Sequence, residues 1–343
     1  MTRLSEFDYE LPEELIAQEP LAERDRSRLM ELAPDGSIAH RSFSDLPDLL
    51  EGGDLLVLND TRVFPARLRG SRHGKETRGG AAEILLLESL GSDRWRVLAR
   101  PARKMGVGTR LVFGGADAEV EEVERFGRRI VRFHYQGDFE ALVDELGATP
   151  LPPYIESSSP ESSVRERYQT VYARPRGSVA APTAGLHFTE DLFRALDERG
   201  VERAFVTLHV GYATFEPIRE EEIEEHRMGI ERFLVPEETR EKIRKAKERG
   251  ARVVAVGTTT VRALESAALE GFLAGWRETD LFIQPGFEFR VVDALLTNFH
   301  LPRSSLLVLV SAFGGRERVL AAYREAVEKR YRFYSFGDAM LLY

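Results

Sequence analysis

Three histidines and two carboxylates stand where short apolar runs break into polar turns. His187 lies in PTAGLHF (Pro182–Phe188), His209 and Glu216 in LHVGYATFEP (Leu208–Pro217), His300 in LTNFHLP (Leu296–Pro302) and Asp60 in LNDTR (Leu58–Arg62). Imidazoles, and carboxylates tuned by their surroundings, exchange protons near neutral pH. Residues of these types could serve general acid–base chemistry if they met in one site. VGTTTVR (Val256–Arg262) reads differently: an apolar strand, a turn of Thr258, Thr259 and Thr260, and a helix opening near Val261. Unpaired N–H groups and the positive end of a helix dipole suit a carboxylate or phosphate there. Neither the P-loop nor the dinucleotide glycine pattern is present.

Each residue also has a plainer reading. A turn can carry an imidazole, His209 can be a hydrogen-bonded core histidine, and a glutamate before proline is usually solvated. Thr258–Thr260 can be an ordinary cap. Phe188 and Phe299 could stack on a flat base, but Phe188 and Phe193 also occupy the hydrophobic-staple positions around Thr189. The three histidines lack a metal-ligand spacing, so no metal is expected. What raises the polar ends above their plainer readings is that five fall at strand termini. In one α/β sheet they would converge on a single crevice.

The elements that must position them follow from periodicity. GDLLVLNDTRV is a buried strand entering a polar cluster, and RAFVTLHVG and ARVVAVG are strands. TEDLFRALDERG and PEETREKIRKAKERG are amphipathic helices, the first capped by Thr189. Pro12 suits the first position of a short N-terminal helix. Such alternation predicts an α/β domain with a mostly parallel sheet. Between Arg67 and Gly147 the pattern changes to short β-rich runs about ten residues apart, predicting an inserted small all-β barrel or sandwich. The expected division is 1–66 and 151–343 for the α/β domain and 67–150 for the insertion.

The chain has 343 residues, no cysteine and a net charge of −9. Disulfides, thiolate metal sites and cysteine nucleophiles are excluded. No apolar run approaches the ~20 residues of a membrane span, and the acidic N-terminus does not resemble a signal peptide, so a cytoplasmic setting is expected. Residues 61–110 carry 12 Lys+Arg against 4 Asp+Glu. A basic block in an acidic protein can steer a polyanion to one face, or be a solvated loop.

Several long blocks carry a resemblance: PTAGLHFT, TLHVGYATFEPI, HRMGIE, VVAVGTTTVRALES, ETDLFIQPGFEFRVVDALLTNFHLPRSSLLVLVSAF, YRFYSFGDAM and, near the start, GDLLVLNDTRVFPARL. Together they resemble the S-adenosylmethionine:tRNA ribosyltransferase-isomerase family of queuosine biosynthesis, over nearly the whole chain. The β-rich stretch matches more loosely. The resemblance implies an α/β domain with an inserted β-barrel. It implies transfer of the ribosyl group of S-adenosylmethionine to the aminomethyl group of a 7-deazaguanine (preQ1) at the tRNA wobble position. The product is epoxyqueuosine, with adenine and methionine released. S-adenosylmethionine is then a co-substrate, and no cofactor is permanently bound. The resemblance makes His187, His209, Glu216, His300 and Asp60 the acid–base set, with His187 the leading base. Thr183, Gly185, Phe188, Thr258, Thr259, Thr260, Arg262, Asn298 and Phe299 become substrate contacts, with Arg262 pairing a carboxylate or an RNA phosphate. Arg67, Arg69, Arg72, Lys75, Arg103 and Lys104 become tRNA contacts. A monomer or weak homo-oligomer is expected. The alternatives are an S-adenosylmethionine-dependent RNA methyltransferase and a non-catalytic RNA-binding protein.

Overall fold

A computed structural model describes residues 2–73, 79–152, 154–155, 160–212 and 218–343. The chain forms two compact units. One comprises Met1–Arg62, Pro153–Ser158 and Arg167–Tyr343, the other Val63–Pro152 and Ser159–Glu166.

In chain order the strands are β1 (Arg28–Leu32), β2 (Ile38–Ser42), β3 (Leu55–Asn59), β4 (Arg62–Val63), β5 (Arg67–His73) and β6 (Gly80–Gly91). There follow β7 (Arg94–Arg100), β8 (Arg110–Val112), β9 (Ala116–Val123), β10 (Arg128–Tyr135), β11 (Gly147–Ala148) and β12 (Arg176–Ser178). The last are β13 (Glu202–Leu208), β14 (Glu231–Leu234), β15 (Val253–Val256), β16 (Arg277–Thr279), β17 (Ala294–Asn298) and β18 (Ala339–Leu342). The helices are α1 (Leu46–Leu49), α2 (Phe139–Leu146), α3 (Glu161–Arg167), α4 (Glu190–Glu198), α5 (Glu237–Glu248), α6 (Thr258–Leu269), α7 (Ser305–Gly314) and α8 (Arg316–Glu328).

The larger unit is built on a nine-stranded sheet ordered β16-β14-β13-β3-β15-β17-β18-β1-β2. Its centre, β13-β3-β15-β17, is parallel throughout. Helices cover both faces, so these strands are continuous apolar runs and not alternating ones. Leu55 and Val57 of β3 join one core, Leu56 and Leu58 the other. Each such side chain contributes about 2 kcal/mol on burial.

The expectation of a mostly parallel sheet needs correction: the sheet is mixed. β14 pairs antiparallel with β13 and β16, β17 with β18, and β1 with β2. Residues 33–37 join β1 to β2, far too few for the crossover that parallel neighbours need. The expected N-terminal helix is also absent. Glu13–Leu15 makes a single 3₁₀ turn after Pro12, and Ile16 then bridges Phe333, drawing the chain straight.

The smaller unit is a six-stranded antiparallel barrel, β5-β6-β7-β10-β9-β8, closed by β5–β8 pairing; β11 adds to β5. Closure removes exposed sheet edges.

Candidate functional site

Because β13, β3, β15 and β17 run parallel, their C-terminal residues Leu208, Asn59, Val256 and Asn298 emerge at one end of the sheet. A cavity opens there, with about 530 Å³ of empty space out to its mouth. Thr183, Thr258, Thr259, Asn298 and His300 line it, together with Thr297, Tyr334 and Ser335. Five of the sequence-derived site residues thus meet in one place.

Gly257 makes the turn into α6. At φ 88°, ψ 152° its backbone lies in a region essentially confined to glycine. The helix opens at Thr258, three residues before the sequence-derived start. The N–H groups of Thr260 and Val261 both use Gly257 O, so those of Thr258 and Thr259 lack an acceptor inside the helix. Thr260 is turned away: its hydroxyl donates to Val256 O at 2.6 Å, and the residue is fully buried. An anion would therefore meet Thr258 and Thr259 only.

Asn59, not singled out from the sequence, locks the strand ends. Its Nδ2 donates to Leu208 O (3.0 Å) and Thr259 Oγ1 (3.1 Å). Its Oδ1 accepts from Leu208 N–H (3.0 Å) and Thr61 N–H (3.2 Å). One buried carboxamide ties β3 to β13 and to the first turn of α6. Its place in the LNDTR cluster was the available signal.

His187 ends a 3₁₀ turn, Thr183–His187, and does not line this cavity. It lines a neighbouring one with Arg24, Ser27, Arg167 and Ser335; Ser335 also lines the first. The imidazole stacks on Phe43 at 4.7 Å and its Nδ1 lies 2.7 Å from Ser27 Oγ. Burial lowers its pKa to about 4, with Asn298 opposing the shift. His187 Nε2 and Asn298 Oδ1 are both buried without a partner of ordinary geometry. An Nε2–H aimed at Oδ1 satisfies both, while Asn298 Nδ2 donates to Tyr334 O at 2.9 Å. Tyr334, also missed from the sequence, is a non-glycine residue at φ 75° whose ring packs on Tyr154 at 4.0 Å. Left-handed backbone at a cavity wall is characteristic of functional positions.

His300 is held on three sides. Its N–H donates to Tyr323 Oη (3.1 Å), its carbonyl accepts from Tyr9 Oη (2.5 Å), and Nε2 lies 3.0 Å from Thr297 Oγ1. Burial brings its pKa to about 3. Burial also raises Tyr334. Both titratable groups on the cavity wall are therefore uncharged at neutral pH.

The remaining sequence-derived residues lie elsewhere. His209 stacks on Trp276 at 4.9 Å and bonds Thr61 Oγ1 at 2.8 Å; burial, then Arg232, lowers its pKa to about 4. Asp60 accepts from Thr207 Oγ1 at 2.7 Å, and burial raises its pKa. Gly185 does not line the cavity either: Tyr172 Oη would lie 2.0 Å from a Cβ placed there. Glu216 and Lys75 lie outside the described residues.

Three substrate-contact assignments are corrected. Phe188 is fully buried, stacked on Phe193 at 5.0 Å and 17°, as the staple reading has it. Phe299 is fully buried among Tyr323, Tyr331 and Phe333. Neither ring has a face left for a base. Arg262 is buried and ion-paired with buried Glu231, with Nε donating to Leu281 O at 3.0 Å. Its carboxylate partner belongs to the protein.

On the barrel, four cations of the basic block are ion-paired. Arg94 and Arg96 pair with Glu121, Glu122, Glu124 and Glu88, Arg110 with Asp117, and Arg69 with Glu83. Arg72 is buried, donating to Ala81 O, so it is corrected as a phosphate contact. Arg67 donates to Leu151 O. Arg103 and Lys104 are exposed. Among the described residues no cluster of His, Asp or Glu could hold a metal ion, and no helix is long and apolar enough to cross a membrane.

Comparison with known proteins identifies relatives of matching length. The profile of the queuosine biosynthesis protein family matches residues 4–342. Two proteins named S-adenosylmethionine:tRNA ribosyltransferase-isomerase are close. The one from Heliobacterium modesticaldum is 56% identical, covering 98% of each chain, and that from Anaeromyxobacter is 55% identical, covering 99% of each. The crystal structure of S-adenosylmethionine tRNA ribosyltransferase from Thermotoga maritima is 45% identical, covers 99% of this chain and all of that one, and gives a TM-score of 0.55. With a profile and relatives matching from end to end, the chain belongs to the queuosine biosynthesis protein family.

Proposed function

We propose that this chain is an S-adenosylmethionine:tRNA ribosyltransferase-isomerase. It moves the ribosyl group of S-adenosylmethionine to the aminomethyl group of preQ1 at the tRNA wobble position and releases adenine and methionine. The observation that carries this reading is the cavity wall. It joins an open helix N-terminus to uncharged polar groups, and among the described residues it includes no Lys or Arg. A sulfonium nucleoside bearing a carboxylate is complementary to such a wall. Thr258 and Thr259 at the α6 terminus receive the carboxylate, the sulfonium meets no like charge, and Asn298, His300 and Tyr334 bind the nucleoside.

The sulfonium acidifies the C5′ protons, and a base removes one. A buried imidazole with a pKa of about 4 is a weak base at pH 7. His187 is instead a positioning residue: it holds the Asn298 carboxamide, which in turn holds Tyr334 O. His187→Gln, which keeps a donor, should retain more activity than His187→Ala, and the Ala variant should raise KM for S-adenosylmethionine more than it lowers kcat. An acidic limb of the pH–rate profile that vanishes in both variants would return His187 to the base role.

The reaction is tested with S-adenosylmethionine labelled separately in ribose and methyl and with preQ1-containing tRNA. Ribose label in tRNA with free adenine is the expected result. Methyl label in tRNA identifies a methyltransferase and overturns the reading.

A further inference from the structure

Two turns at one end of the barrel carry cations that form no ion pair with a carboxylate among the described residues. Arg100 ends β7, and Arg103 and Lys104 lie in the following 3₁₀ turn, Ala102–Lys104. Arg125 lies in the turn Arg125–Gly127 that precedes β10. All four are exposed, whereas Arg94, Arg96 and Arg110 are held in ion pairs. The stretch from Arg100 to Arg110 contains no acidic residue. The two turns are neighbours. Arg128 pairs with Leu98 across the β10–β7 ladder, and Arg129 donates to Ala102 O and Met105 O. Between them stands Phe126, 68% exposed at φ 58°.

We infer that Arg100, Arg103, Lys104, Arg125 and Phe126 form an RNA-docking surface, in which the four cations contact backbone phosphates and Phe126 stacks on an unpaired base. Charge complementarity to a polyanion and an aromatic face among cations are the two features that single-stranded and loop RNA requires. The inference rests on the proposed function for its partner, a tRNA, and gives that partner a location on the barrel. Of the sequence-derived RNA contacts this surface includes Arg103 and Lys104, and it adds three residues.

The test uses the full chain carrying R103E/K104E/R125E and, separately, Phe126→Ala. Affinity for the substrate tRNA is measured across salt concentrations beside steady-state kinetics. The triple variant should bind at least tenfold more weakly. Its plot of log affinity against log salt should be shallower by about 2, since each phosphate contact contributes about 0.7–0.9 to the slope. Phe126→Ala should weaken binding roughly tenfold with the slope unchanged. In both the loss falls on KM for tRNA and not on KM for S-adenosylmethionine. Wild-type affinity and slope in the triple variant overturn the inference, as does a fall in kcat at unchanged tRNA affinity. A wild-type protein that binds tRNA through this surface without transferring ribose overturns the proposed reaction and leaves the surface standing.

Discussion

Asn59→Ala tests how the cavity is held together. The substitution removes four hydrogen bonds of 3.0–3.2 Å from a fully buried site. Thr259 can turn its hydroxyl to another acceptor. Leu208 N–H, Leu208 O and Thr61 N–H cannot leave the strand ends. A net hydrogen bond is worth about 1 kcal/mol, and a buried group left unpaired costs about 1–3 kcal/mol. The three stranded groups sum to a loss of at least roughly 3 kcal/mol, which for a unit of this size lowers Tm by at least about 6 °C. The same change frees β13 and the first turn of α6 from each other, so KM for S-adenosylmethionine should rise before kcat falls. Thermal melts with and without S-adenosylmethionine, beside steady-state kinetics, measure both effects. A variant melting within 2 °C of wild type (an order-of-magnitude threshold from the same scaling) with an unchanged KM would refute the claim that this carboxamide positions the site.

Asp60→Asn should raise Tm at pH 7. Burial lifts the folded pKa of Asp60, so its charged form is disfavoured in the folded state. The difference should close as pH falls and wild-type Asp60 protonates; a lower Tm at pH 7 would sink this account. His187 and His300 act in the opposite direction. Their folded pKa values of about 4 and about 3 lie below the ordinary 6.5. Their contribution is complete above pH 6.5 and declines on acidification toward 4, because the unfolded chain binds the protons first. Two such groups give a slope of about 2.7 kcal/mol per pH unit, and denaturant melts at pH 7 and 5 with no difference would contradict it. Arg262→Met should cost about 3–5 kcal/mol by stranding Glu231 in the interior. Adding Glu231→Gln should recover most of it, since Gln keeps an acceptor for Gly211 N–H; denaturant titration of both variants decides.

Much of the architecture was legible in local sequence. Thr189 caps α4 and Phe188 staples to Phe193, as their spacing implies. The β-rich stretch closes into a barrel, and polar residues from three of the five strand ends gather around one cavity, while Asp60 and His209 lie outside it. These features depend on capping, alternation and turn chemistry, which act over a few residues. The sequence by itself determined which segments become strands and helices, and that their polar ends carry the chemistry.

Only the tertiary structure decided what each polar end does. Ser27 and His187 are 160 positions apart, and Asn59 and Thr259 are 200 apart. Asn59 meets Thr259 because parallel β3 and β15 finish together, and Ser27 reaches the same end because β1, antiparallel to β17 through β18, starts there; no local pattern records either. Burial turns three imidazoles of near-neutral type into neutral, weakly basic groups. Antiparallel pairing brings Glu121, Glu122 and Glu124 across to Arg94 and Arg96, cancelling part of a charge that a window of sequence had left standing. Proton affinity and local charge are properties of the surroundings, and folding assembles those surroundings from distant parts of the chain.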